Sequence, residues 1–174
     1  KAFCVGGDLR DPTRTAAEKR GLHHLHDRLA VAIRNNGKPI IVKVRGYCIG
    51  GGNELNVMCD LTISGASGRF GQAGPKIGSA PLWWGCQLMP AIVGEKKARE
   101  ILYLTRQYTA DEALAMGLVN KVVPDDQPLD ALRGEIAATF FSDPLTRWTV
   151  AASRYHLDAE PFGREADGQS RRHA

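Results

Sequence analysis

The sequence contains no apolar run long enough to cross a bilayer, so a helical membrane protein is not expected. It has no C-x-x-C pair and no Cys/His cluster at metal-ligand spacing; its four cysteines, Cys4, Cys48, Cys59 and Cys86, stand far apart. Scattered cysteines are expected to be small buried thiols in a reducing, cytoplasmic compartment, not a disulfide framework or a zinc site. No metal is expected. Basic residues exceed acidic ones by only four, 23 against 19, and nowhere do they gather with aromatics on one face. That excludes a nucleic-acid partner, while leaving a mild attraction for a polyanionic small ligand.

What is present is enough for one globular unit: 174 residues, 43% of them hydrophobic. The chain enters at Lys1-Ala-Phe-Cys-Val5, which reads as the end of a strand, followed by a loop over 6–15. Leu22, Leu25, Leu29 and Ile33 recur at helical spacing over about 16–35. Pro39 to Gly46 is β-branched and reads as a strand, Tyr47 to Gly52 as a glycine-rich turn, and Asn53 to Cys59 as a short helix. Two short strands are expected at 60–64 and 68–71. A long constrained loop, Gln72 to Trp84, follows, of the kind that carries function. Helices follow from Gly85, broken at Gly94. Thr109 and Glu112 have capping-box spacing for a helix ending near Gly117. Leu118 to Val123 reads as a strand, and helices are expected at 128–142 and 144–157. Strands alternating with helices make the fold class α/β. The unit is expected to span 1–157, with a polar tail over 158–174.

Two glycine-rich turns carry the chemistry. One is Val5-Gly6-Gly7-Asp8; the other, Ile49-Gly50-Gly51-Gly52-Asn53-Glu54, lies between a strand and a helix. Glycine permits positive φ and close approach to the backbone. A helix start offers unpaired N–H groups and partial positive charge. One N–H from each turn, converging on a single oxygen, would form an oxyanion hole. Taken alone, the triplet serves equally well as a tight turn, and it matches neither the G-x-x-x-x-G-K-[ST] nor the G-x-G-x-x-G phosphate motif.

The wider pattern is more specific. Ala2-Phe-Cys-Val-Gly-Gly-Asp8, Lys38 to Gly52, Met58-Cys-Asp-Leu-Thr-Ile63, Phe70-Gly-Gln72 and Ala115-Met-Gly-Leu-Val-Asn120 stand in the order and spacing of the crotonase (enoyl-CoA hydratase/isomerase) superfamily, which the chain resembles over about 1–157. The resemblance implies a crotonase-like ββα spiral lacking its N-terminal βαβ portion and C-terminal helices. It implies an acyl-CoA substrate, no tightly bound cofactor, CoA present only as part of the substrate, and a homotrimer or dimer of trimers. It assigns the oxyanion amides to Gly7 and Gly51. The pantetheine path falls to Val5, Leu9, Tyr47, Cys48, Ile49 and Gly50.

Gly74-Pro-Lys-Ile-Gly-Ser79, Gly94 to Ile101 and His23-His-Leu25 look similar to the branch of 1,4-dihydroxy-2-naphthoyl-CoA synthase, of menaquinone biosynthesis, and 2-ketocyclohexanecarboxyl-CoA hydrolase. That branch implies ring closure or ring opening of a cyclic or aromatic β-keto acyl-CoA. Gly74 occupies the place of the hydratases' second glutamate. Beside it, Gln72 matches the synthases in which bicarbonate replaces that carboxylate, whereas Ala73, Leu102 and Pro81 depart from them. Ser79 matches a substrate-contacting serine, or caps a turn. Glu54 occupies the place of the first catalytic glutamate of hydratases, so the alternative is a hydratase or isomerase using Glu54; an inactive assembly partner is the third reading. Trp83 and Trp84 either wall an acyl pocket or anchor the loop. His23, His24 and His26 are not expected to bind metal.

Overall fold

The computed structural model describes residues 2–7, 15–81 and 83–134. Its strands belong to two sheets, and the chain steps between them. One sheet has the order β1 (Ala2–Cys4), β3 (Tyr47–Ile49), β5 (Arg69–Gly71), β6 (Gln107–Thr109); the other has β2 (Ile41–Val44), β4 (Leu61–Gly65), β7 (Lys121–Val123). All neighbours are parallel except β5 and β6. The helices are α1 (Ala16–Arg34), α2 (Gly51–Met58), α3 (Gly85–Val93), α4 (Glu95–Leu104) and α5 (Ala110–Ala115). Each ββ step is abrupt. Only Arg45 and Gly46 join β2 to β3, and Gly46 takes a φ of 70° to turn the chain from one sheet into the other.

The pattern of burial explains the strands. β2 alternates, with Val42 and Val44 buried and Lys43 exposed. β4, the middle strand of its sheet, buries everything from Thr62 to Gly65. Its two polar side chains are satisfied: the Ser64 hydroxyl donates to the Gly65 carbonyl at 2.8 Å and the Thr62 hydroxyl to Asn56 Oδ1 at 2.6 Å. The Thr62 amide donates to Asn120 Oδ1 at 2.7 Å, and the Asn120 amide returns a bond to the Thr62 carbonyl at 2.9 Å. Asp60 accepts from the Ile40 amide at 2.7 Å, which ties the entry of β2 to that of β4. Val44, Cys48, Met58, Phe70, Met89 and Ile101 form the centre of the core; each large apolar side chain contributes roughly 1.5–3 kcal/mol on burial.

Several expectations are corrected. Tyr47–Ile49 is a strand, not a turn, because it pairs with both β1 and β5. The helix after it begins at Gly51, two residues earlier than expected. β6 was not foreseen; three residues held antiparallel to β5 leave no periodicity to detect. The long loop contains a 3-10 turn, Gly74–Ile77. On α1, Ile33 is buried, but Leu25 and Leu29 are 55% and 44% exposed; the Leu22 side chain lies outside the described residues. So do residues 135–157 of the expected helices and the tail over 158–174, while the described start of the first, 128–132, is turn and irregular with helix only from Arg133. The capping box is present: the Glu112 amide donates to Thr109 Oγ1 at 3.2 Å, and the Thr109 amide to Glu112 Oε2 at 2.7 Å. Among the described residues no helix is long and apolar enough to cross a membrane.

Candidate active site

Parallel pairing of β1 with β3, in the register Ala2 with Tyr47 and Cys4 with Cys48, brings their C-terminal ends side by side. The two glycine turns therefore meet. A Cβ added to Gly6 would lie 3.1 Å from the Gly51 amide nitrogen, and one added to Gly51 would lie 3.2 Å from Gly6 Cα. Gly6 has φ 96° and Gly50 φ 58°, conformations natural to glycine. Gly52 is fixed by contact: its Cβ would stand 2.7 Å from the Cys4 carbonyl carbon, so only glycine lets α2 lie against β1. The Gly50 amide donates to the Gly71 carbonyl at 3.0 Å, which fastens the turn to β5.

The amide of Glu54 donates to the Gly50 carbonyl at 2.9 Å and closes the first turn of α2. That leaves the amides of Gly51, Gly52 and Asn53 without intrahelical acceptors, and no side chain caps the helix. The Gly51 N–H therefore sits at the positive end of α2, beside the Gly6–Gly7 turn. The backbones of Gly6 and Gly51, from different chain segments, thus meet in this corner.

Glu54 lies one turn further on and is 7% exposed. Its carboxylate belongs to the same corner, with Oε2 3.9 Å from a Cβ placed on Gly51. Oε1 accepts from the Trp83 amide at 2.7 Å, and the Gly85 backbone at the start of α3 lies close to the same carboxylate, a Cβ placed there standing 3.3 Å from Oε1. Burial raises the Glu54 pKa above the usual glutamate value, and the Trp83 and Gly85 amides oppose that rise. Gly85 makes the approach possible, since a Cβ there would press to 3.1 Å from Glu54 Cγ. On α3, burial and the Glu54 charge together raise the Cys86 thiol pKa.

Gly74 does not leave an empty slot. A Cβ there would meet the Ser79 carbonyl oxygen at 3.0 Å and its carbon at 3.3 Å. The Ser79 amide donates to the Gly74 carbonyl at 2.9 Å and folds that segment closed; the Ser79 side chain is exposed. Gln72, 2% exposed at the end of β5, has an Nε2 with no partner, as does the buried Nδ2 of Asn53.

The other expected contact residues are dispersed. Val5 is 60% exposed beside the glycine turn, whereas Cys48 and Ile49 are buried in the core. The Cys48 thiol donates to the Gly52 carbonyl at 3.4 Å, and burial raises its pKa strongly. Tyr47 begins β3, at the opposite end from Gly50, and lines a separate cavity of about 440 Å³ with Arg45, Ser67, Arg69 and Asp125. Leu9 lies outside the described residues. Leu102 is buried in the core. Trp83 anchors: its indole stacks on His26 with ring centroids 4.9 Å apart, and Nε1 donates to the His26 carbonyl at 2.8 Å. Among the described residues no group of three His, Cys, Asp or Glu side chains could hold a metal ion. Sequence reasoning missed the Trp83 and Gly85 amides, because a backbone donor has no side-chain signature; the one clue was a glycine opening a helix after a long loop.

Many solved structures resemble the chain, these three among them. An enoyl-CoA hydratase/carnithine racemase from Magnetospirillum magneticum is 32% identical with a TM-score of 0.76, over 99% of this chain and 66% of that one. An enoyl-CoA hydratase from Bacillus anthracis is 26% identical with a TM-score of 0.75, over 98% and 73%. An enoyl-CoA hydratase/isomerase from Cupriavidus metallidurans CH34 is 28% identical with a TM-score of 0.73, over 90% and 60%. This chain thus spans 60–73% of the length of these three relatives. The sequence profile described as enoyl-CoA hydratase/isomerase matches residues 1–164, and with the paired glycine turns and the two-sheet alternation in place, the chain belongs to the crotonase, or enoyl-CoA hydratase/isomerase, family.

Proposed function

We propose that the chain carries the active centre of an enoyl-CoA hydratase/isomerase-type enzyme in which Glu54 is the single acid–base group. The observation that carries this reading is the buried Glu54 carboxylate in the same corner as the Gly51 amide. The thioester oxygen of an acyl-CoA is held by the Gly7 and Gly51 N–H groups. Glu54 takes a proton from the carbon next to the carbonyl, and the electron pair moves into an enolate whose oxygen those amides stabilise. The raised pKa suits Glu54 to accept that proton and return it.

A lone carboxylate favours isomerisation over hydration. Moving a double bond into conjugation needs one group, which removes a proton at the α carbon and delivers it at the γ carbon. Hydration asks for a second group to hold and activate water, and the backbone of Ser79 and Ala80 crowds the position of Gly74. The test is turnover of a 3-enoyl-CoA and of crotonyl-CoA by the wild type and Glu54→Gln. Loss of a general acid–base should lower kcat about 10²–10⁴-fold. Unchanged turnover in Glu54→Gln would refute the role.

One observation favours a second reading, ring closure or opening of a cyclic β-keto acyl-CoA. The buried Gln72 Nε2 is an unused donor at the end of β5, two residues before Gly74, and a bicarbonate ion there would supply the missing base. Incubation with o-succinylbenzoyl-CoA, with and without bicarbonate, separates the two readings by whether a naphthoyl product forms. Assembly as a trimer or dimer of trimers belongs to the same proposal and is checked by light scattering.

A further inference from the structure

Glu54 does not hold its own position. Its Oε1 receives the Trp83 amide at 2.7 Å, and Trp83 is in turn held from α1, by ring stacking on His26 at 4.9 Å and by the indole N–H to the His26 carbonyl at 2.8 Å. Between Trp83 and α3 the backbone is strained, because Trp84 adopts φ 65°. A bulky residue keeps a left-handed conformation only where its surroundings enforce it. Here the neighbours on both sides are held: Trp83 by α1, and Gly85 by its packing on the Glu54 side chain, whose Cγ a Cβ at 85 would meet at 3.1 Å.

We infer that Trp83 is a positioning residue for Glu54, its indole clamped on His26 of α1 so that the Trp83 and Gly85 amides stay aimed at the carboxylate. The inference rests on the acid–base reading of Glu54 and extends it to a part of the chain remote from the glycine turns. The consequence is a tuned proton affinity. Burial drives the carboxyl towards its neutral form; the Trp83 N–H and the nearby Gly85 backbone oppose that. If the clamp is released, the donors drift, burial acts unopposed, and Glu54 keeps its proton to higher pH. Among the described residues the titratable groups facing this region include His23, edge-on to His26 with ring centroids 6.4 Å apart. Cys86 faces Glu54 from α3, Cys4 and Cys48 lie on β1 and β3 behind it, and α1 brings His26 against Trp83.

The test uses the full chain and the variants Trp83→Ala, Trp83→Phe and His26→Ala. Two readouts are needed: the titration of the Glu54 carboxyl by carbon-13 NMR, assigned by its loss in Glu54→Gln, and the acid limb of the pH profile for 3-enoyl-CoA turnover. In Trp83→Ala both should move to higher pH, so that activity on the limb falls about tenfold while the plateau changes less than about threefold. Trp83→Phe keeps the stack and loses the N–H, and should fall between. Should Trp83→Ala not fold, Trp83→Phe and His26→Ala decide the matter. Lower activity or melting temperature with the Glu54 titration and acid limb unmoved would overturn the inference, leaving Trp83 a packing residue. A moved titration in Trp83→Ala, alongside full activity in Glu54→Gln, would instead uphold the positioning and remove the acid–base reading.

Discussion

Gly52→Ala perturbs the site without touching any group that reacts. A Cβ at 52 would sit 2.7 Å from the Cys4 carbonyl carbon and 2.9 Å from Cys4 Cβ, whereas ordinary contact begins at 3.4 Å. Both neighbours belong to β1, which cannot rotate away as a flexible side chain would, so α2 and β1 must separate by at least 0.7 Å. Overpacking of this kind costs about 1–3 kcal/mol, or roughly 2–4 °C in Tm for each kcal/mol in a chain of this size. The larger effect falls on the site. The Gly51 amide rides on α2, so its distance from the Gly6–Gly7 turn grows by a comparable amount, and a misplacement near 1 Å costs about 10²-fold in rate. The assay is acyl-CoA turnover beside thermal unfolding, with Gly37→Ala as control, since a Cβ there meets nothing within 4 Å. If Gly52→Ala matched the control in both Tm and kcat, the argument that α2 must lie against β1 to form the oxyanion corner would be wrong.

Two further outcomes concern stability. Burial raises the Glu54 pKa in the folded state, so the folded chain binds that proton more tightly than the unfolded one. The stability tied to Glu54 is therefore present below the ordinary glutamate pKa and lost as pH rises through the folded-state pKa. Glu54→Gln should accordingly melt higher than wild type at neutral pH, with the difference vanishing in acid; a gain independent of pH would contradict this. Thr109→Ala removes the capping box of α5 and should cost about 1 kcal/mol in chemical denaturation, with no change in the pH profile of turnover.

Local chemistry made part of this protein legible in one dimension. The Thr109–Glu112 cap, the β-branched strand before Gly46 and the breaks at Gly94 and Gly117 depend on residues a few positions apart, and each stands where the pattern puts it. So does the adjacency of the glycine turns, because the family order of motifs carries the β1–β3 pairing with it. Short elements held by partners distant in sequence were not legible. Tyr47–Ile49 is a strand only because β1 and β5 flank it, and Gln107–Thr109 only because β5 does. Apolar spacing marked α1 as a helix, and Leu25 and Leu29 on it are nonetheless exposed, since periodicity reports a face and not what covers it.

The order of motifs marks the family, and glycines and one acid at fixed spacing put a carboxylate one turn beyond the second glycine turn. What that carboxylate meets is set by the folded chain. Trp83 and Gly85 lie 29 and 31 residues from Glu54, and they act through backbone amides, which every residue type except proline carries. Their effect depends on α3 packing against α2 and on α1 holding Trp83, contacts that exist only once the chain is folded.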